Sequence, residues 1–191
     1  MKSKEELRLL VRDERAKLKP EWIKENSWHA QGALVALPDF KKARSVCCYL
    51  SINGEVETDL IIEMCRREGK RVCVPAFRKR MNMYGLAKLE NDTTLVAGNF
   101  KIMEPSDVEW ADDGTVDFVV VPGVAFDSCG GRVGHGRGYY DRILSGMPQE
   151  TFKAGLSFDF QIYDRVPMTP EDVRMDVVVT EKRVLTRIKG S

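Results

Sequence analysis

Five short apolar runs constrain this chain more than any other feature of its sequence. Ser45–Ser51, Arg71–Pro75, Asp117–Pro122 and Val177–Thr180 are continuous inside their polar boundaries and do not alternate in polarity, and Phe152–Ser157, interrupted only by Lys153, reads as a further strand. A strand with one wet face alternates with a period of two, so a continuous run describes a strand buried on both faces. Helical patterns lie between the runs. Leu7, Leu10, Val11 and Leu18 recur at helical spacing over residues 3 to 19, with Pro20 closing the segment. A second helix is predicted from Glu21 to Leu37, ending before Pro38. Thr58 and Asp59 offer an N-cap to a third, which carries Leu60, Ile61, Ile62 and Met64 and stops near Gly69. Gly138 to Ser145 opens a further helix, Met83 to Leu89 adds a strand, and residues 91 to 115 read mostly as loop. Buried strands alternating with helices predict an α/β fold, three layers α/β/α around a mainly parallel sheet. Without a visible repeat or linker, residues 1–191 read as one domain.

Charge narrows the function classes. Thirty Lys plus Arg balance 29 Asp plus Glu, a formal net charge of +1, so no global field favours nucleic acid or an anionic membrane, and neither is expected as a partner. No apolar run approaches the roughly 20 residues of a membrane-spanning helix. The charged segment Met1–Glu6 leads into no apolar stretch of the kind a secretory signal needs, and the five cysteines include no C-x-x-C, which together predict a cytoplasmic protein without a disulfide framework.

In parallel sheets ligands bind beyond the carboxyl ends of the strands, which directs attention to the loops after Ser51, Pro75 and Pro122. The last of these is the most informative. Six of the 15 glycines fall between Gly123 and Gly138, in a stretch that ends Gly131-Arg132-Val133-Gly134-His135-Gly136-Arg137-Gly138-Tyr139-Tyr140-Asp141. Alternate glycines at 134, 136 and 138 can take positive φ and turn successive N–H groups inward as an anion-binding nest. Arg132, His135 and Arg137 add charge or donors, and the following helix aims its positive end at the same place. Polyphosphate is the expected ligand. A P-loop requires Gly-Lys-Ser/Thr, which is absent, and a Rossmann fingerprint requires G-x-G-x-x-G directly after the strand, where this chain has G-x-G-x-G about a dozen residues later.

Pro122-Gly123-Val124-Ala125-Phe126-Asp127 and the glycine stretch through Asp141 resemble the signature of the 5-formyltetrahydrofolate cyclo-ligases, also called methenyltetrahydrofolate synthetases. The resemblance extends to Lys4 and Arg8, to Glu55-Val56-Glu57-Thr58 and to Met175-Asp176, with Val133 standing where the family usually has Leu. It implies a three-layer α/β ligase of one-carbon metabolism that converts 5-formyltetrahydrofolate to 5,10-methenyltetrahydrofolate with ATP and Mg²⁺. A monomer or weak homodimer is expected, with polyglutamated folate left open as a substrate. Under the resemblance, Lys4, Arg8, Arg132, Gly134, His135, Gly136, Arg137, Gly138, Tyr139 and Tyr140 hold ATP, and Arg8, Arg132, Arg137 and Tyr140 act on the transferring phosphoryl group. Leu50, Glu55, Met83 and Tyr139 contact folate, and Asp141 and Asp176 serve Mg²⁺. On the residues alone Arg12 and Arg15 read as solvated helix side chains, Cys129 as a plain loop residue, and Arg78-Lys79-Arg80 as a solvated basic run able to meet a polyglutamate tail. A non-catalytic folate or nucleotide binder and a sugar-phosphate isomerase on a related scaffold are the competing classes.

Overall fold

The structure is a computed structural model and describes residues 2–52, 54–78, 81–98 and 103–187. The first helix, α1 (Lys4–Arg15), begins in a capping box in which Ser3 Oγ accepts the Glu6 N–H and the Glu6 carboxylate accepts the Ser3 N–H. It stops short of the expected residue 19. Pro20 opens α2 (Pro20–Val35) and does not close the first helix, because a missing N–H and a fixed φ suit the first helical position. A short α3 (Pro38–Lys42) leads into β1 (Ser45–Cys47).

The next helix, α4 (Asp59–Arg67), departs from the expected capping. Thr58 stands at the N-cap position, but its hydroxyl donates to Tyr49 O at 2.7 Å. The donors of the first turn are met instead by Gln31 of α2, whose Oε1 accepts the N–H groups of Leu60 and Ile61 at 2.9 and 3.2 Å. Beyond α4 come β2 (Arg71–Arg78) and β3 (Met83–Lys88). The stretch expected to be mostly loop also contains a small hairpin, β4 (Leu95–Ala97) with β5 (Met103–Pro105). Then follow β6 (Phe118–Val121), β7 (Ala125–Asp127), β8 (Arg132–Val133), α5 (Tyr139–Gly146), β9 (Phe152–Leu156), β10 (Ile162–Tyr163), β11 (Val177–Val179) and β12 (Val184–Thr186).

The main sheet has the order β12-β11-β9-β6-β1-β2-β3, with β11, β9, β6, β1 and β2 parallel and the two edge strands antiparallel. The five runs supply the five parallel strands, and the four that are continuous are those expected of burial on both faces; β9 is interrupted at Lys153, which is half-buried. On one face Val46, Phe118, Val120 and Ala154 pack against Leu34 of α2, Phe40 of α3 and Ile61 of α4. On the other, Cys47, Val119, Val121 and Val178 meet Ile143 and Leu144 of α5. This is the expected three-layer α/β arrangement. Each large side chain buried in such a core contributes roughly 1.5–3 kcal/mol.

Helix α1 lies outside those layers. Its Leu7 and Val11 pack with Val124, Ala125, Val133 and Val166 on a second sheet of order β10-β7-β8. The placement serves the site. After β1 the chain crosses through α4 to β2 on one side, and after β6 it crosses through α5 to β9 on the other, so the strand order reverses between β1 and β6. At such a reversal the loops diverge and leave a crevice at the carboxyl ends of the strands.

Candidate active site

A cavity of about 440 Å³ opens at that crevice. Helix α1 contributes Lys4 and Arg8, which lie four residues apart and therefore on one face. The β1 loop contributes Leu50 and Glu55, and the glycine loop with the start of α5 contributes Arg132 through Asp141, Val133 excepted.

The glycines divide their roles. Gly136 (φ +96°) and Gly138 (φ +64°) adopt the positive φ expected of them, and Gly138 is the N-cap of α5. Gly134 does not. A Cβ there would stand 2.8 Å from Arg132 Nη1, so any side chain would have to displace the guanidinium that Asp141 holds, and close approach rather than backbone conformation favours glycine. Arg8 closes over the loop, its Nε donating to Gly134 O at 3.0 Å and its guanidinium carbon 3.1 Å from where a Gly136 Cβ would stand. A cation, a turn of bare backbone and a helix N-terminus thus converge on one wall, an arrangement suited to an anion.

The cations on that wall are held by acids. Lys4 Nζ donates to Asp172 Oδ2 at 2.5 Å, and Asp172 also accepts the Thr169 N–H. Arg132, 3% exposed, donates from Nη2 to Asp141 Oδ1 at 2.6 Å, while its Nε is buried without a partner among the described residues. Tyr140 lines the cavity with its phenol pKa pushed well above the ordinary value, first by burial.

Glu55 faces the phosphate-type wall from the other loop. It is 6% exposed, accepts the Ile52 N–H at 3.2 Å and lies 3.2 Å from His135 Nε2. Arg15 completes its surroundings and is not the solvated side chain its sequence position suggests. Its side chain is 9% exposed, Nη1 lies 3.9 Å from Glu55 Oε1 and Nη2 donates to Gly123 O. Burial lowers the Arg15 pKa and the Glu55 carboxylate opposes that shift. The signal was absent from the sequence, because what buries Arg15 is the Gly54 turn and the Gly123 loop, both remote in the chain. Arg12, with 71% of its side chain exposed, is solvated as expected.

Two expected site residues stand apart. Met83 is 40% exposed on an edge strand, and its neighbour Tyr84 lines the cavity instead. Asp176 precedes β11 at the amino end of the sheet, where Oδ2 accepts the Lys153 N–H at 2.9 Å, and it does not line the cavity. The structure therefore does not bring Asp176 together with Asp141 over one ion, for a residue before a parallel strand lies at the end away from the strand's following loop. Among the described residues no group of three or more His, Cys, Asp or Glu side chains could hold a metal. With Asp141 engaged by Arg132 and Asp176 by backbone, the donors present do not fit a resident metal cage. Of the run 78–80, residues 79 and 80 lie outside the described residues; Arg78 stacks over the Trp110 ring, 4.3 Å from its centroid.

The sequence profile of the 5-formyltetrahydrofolate cyclo-ligase family matches residues 1–181. The chain belongs to that family. A 5-formyltetrahydrofolate cyclo-ligase of Escherichia coli is 32% identical over 180 residues, covering 92% of this chain and 98% of its own. The NMR structure of Aquifex aeolicus 5,10-methenyltetrahydrofolate synthetase superposes with a TM-score of 0.86 at 37% identity, covering 98% of this chain and 94% of that one. A second synthetase structure, from Mycoplasma pneumoniae, shares the fold at a TM-score of 0.75 and 21% identity, covering 94% and 99%. The chain is an enzyme of the cyclo-ligase family, and the glycine stretch that carried the resemblance is the stretch that walls its cavity. No helix among the described residues is long and apolar enough to cross a membrane.

Proposed function

We propose that the chain, acting as one domain in the cytoplasm, converts 5-formyltetrahydrofolate to 5,10-methenyltetrahydrofolate with MgATP as co-substrate. The observation that carries this reading is the two-sided cavity: Lys4, Arg8, Gly136 and Gly138 form a wall suited to phosphate, and the buried Glu55 faces it from the β1 loop. A carboxylate with two acceptor oxygens suits the amino and ring N–H donors of a pterin, and Leu50 and Tyr139 supply apolar surface beside it.

The chemistry requires the two walls to meet. A formyl oxygen is a poor leaving group, so it attacks the γ-phosphorus of ATP and ADP departs. The N10 amine then attacks the formyl carbon, phosphate leaves with the oxygen, and the N10 proton is lost as the ring closes. No protein nucleophile takes part. Catalysis is positioning together with electrostatic stabilisation of the transferring group, the work assigned here to Arg8, Arg132 and Arg137, with Tyr140 as a neutral phenol beside them. His135 and the backbone of the glycine loop complete the nucleotide side. Magnesium enters with the nucleotide, and Asp141, paired with Arg132 in the free protein, and Asp172, paired with Lys4, are the carboxylates that line the phosphate wall.

Purified protein incubated with 5-formyltetrahydrofolate is expected to develop the absorbance of the methenyl product only when MgATP is present, with ADP released in equal amount. Product without ATP, or stoichiometric binding without ADP release, overturns the reading.

A further inference from the structure

Strand pairing exchanges two neighbours on β3. Side chains alternate across a strand, so the pleat that turns Met83 to solvent turns Tyr84 inward. Tyr84 is 8% exposed and lines the cavity beside Pro75 of β2. Its ring is held between Phe77, 5.3 Å away between centroids, and Tyr139, 4.6 Å away. Its hydroxyl, in contrast, is buried with no hydrogen-bond partner among the described residues. A buried hydroxyl left unpaired costs stability, and natural structures keep few of them. Packing alone is served equally well by Phe, and no hydrogen bond among the described residues uses the hydroxyl. Burial, with the Glu104 carboxylate and Tyr139 adding to it, pushes the phenol up to about 12, so it keeps its proton near neutrality and is a donor.

We propose that Tyr84 is a substrate-binding residue whose hydroxyl hydrogen-bonds to bound 5-formyltetrahydrofolate and whose ring extends the aromatic wall begun by Tyr139. The proposal rests on the cyclo-ligase reading and deepens its folate side. The folate is favoured over the nucleotide because the phosphate-type groups come from α1 and the glycine loop, whereas Tyr84 comes from the β2–β3 pair with Pro75, an apolar wall fit for a flat heterocycle.

The test uses Tyr84→Phe in the full chain, with thermal unfolding of the free protein and separate calorimetric titrations with 5-formyltetrahydrofolate and a non-hydrolysable MgATP analogue. Removing an unpaired buried hydroxyl is expected to leave Tm unchanged or raise it. Losing the bond to ligand is expected to weaken folate binding about 2- to 13-fold, the range of one neutral hydrogen bond, with analogue affinity unchanged. The two signs together separate a ligand-directed hydroxyl from a structural one, since a structural hydroxyl lowers Tm when removed. Unchanged folate affinity, a lower Tm, or a loss confined to the MgATP analogue overturns the proposal. Failure of the unsubstituted protein to bind the folate at all overturns the cyclo-ligase reading, and this inference with it.

Discussion

At Gly136 two independent constraints meet on one residue. Its φ of +96° disfavours any L side chain, and a Cβ would press on the Arg8 guanidinium at 3.1 Å. The conformational cost alone is about 1–2 kcal/mol. Gly136→Val is therefore expected to lower stability modestly while displacing Arg8 and abolishing turnover, with folate binding at Glu55 retained. Calorimetry with the MgATP analogue and with the folate checks this, and wild-type affinity for the analogue would make the loop a structural turn. Asp141 carries a different double role. As the partner of the buried Arg132, it contributes to the fold as well as to the phosphate wall. Asp141→Asn keeps the shape and loses the charge, which is expected to cost about 1–3 kcal/mol, a fall in Tm of roughly 2–12 °C, and to raise the Mg²⁺ concentration that half-saturates activity. A melting curve and a Mg²⁺ titration matching the parent's would remove it from both roles.

Among the elements, α4 shows how an interior side chain can replace a local cap. The sequence placed Thr58 where an N-cap belongs, but Thr58 is drawn to Tyr49 O and the cap is supplied from α2 by Gln31, 4% exposed. Gln31→Ala leaves the N–H groups of Leu60 and Ile61 unmet and is expected to destabilise the protein by about 1–2 kcal/mol. Asp59→Ala, at an exposed first-turn position, is expected to change stability by less than about 0.5 kcal/mol. Urea unfolding of the two variants decides it, for equal losses would mean that α4 draws its stability from local capping. Helix α1 was legible as an amphipathic helix from Leu7 and Val11. Which surface those residues meet was not, because β7, β8 and β10 are two- and three-residue strands whose pairing leaves no periodic pattern to read.

For the molecule as a whole, the cavity is the junction of α1 with its small sheet, the β1 and β6 loops, and the β2–β3 wing. A ligand bound there contacts parts of the chain that are distant in sequence, so it binds the folded state and not the unfolded one. At a free concentration 100 times its Kd, either substrate is expected to stabilise the protein by about 2.7 kcal/mol, which for a chain of this size raises Tm by roughly 5–11 °C. Differential scanning of the protein with each ligand measures the shift. A rise with the MgATP analogue that is absent with the folate would restrict the cavity to nucleotide.

What the sequence determined by itself was whatever local pattern and covalent spacing encode. The continuous apolar runs specified buried parallel strands, and the four-residue spacing of Lys4 and Arg8 put both on one helix face. The glycine stretch marked the phosphate-type wall and carried the family resemblance. The tertiary structure decided which side chains share a space. Arg15 became buried beside Glu55 because two remote loops close over it, and Gly134 proved to be small for Arg132 and not for its own φ. Tyr84 took the inward place expected of Met83 because a one-residue difference on a strand reverses the face. Asp176 and Asp141 stayed apart because one precedes a strand and the other opens a helix on the cavity wall. These are contacts between residues far apart along the chain, and no local pattern records them.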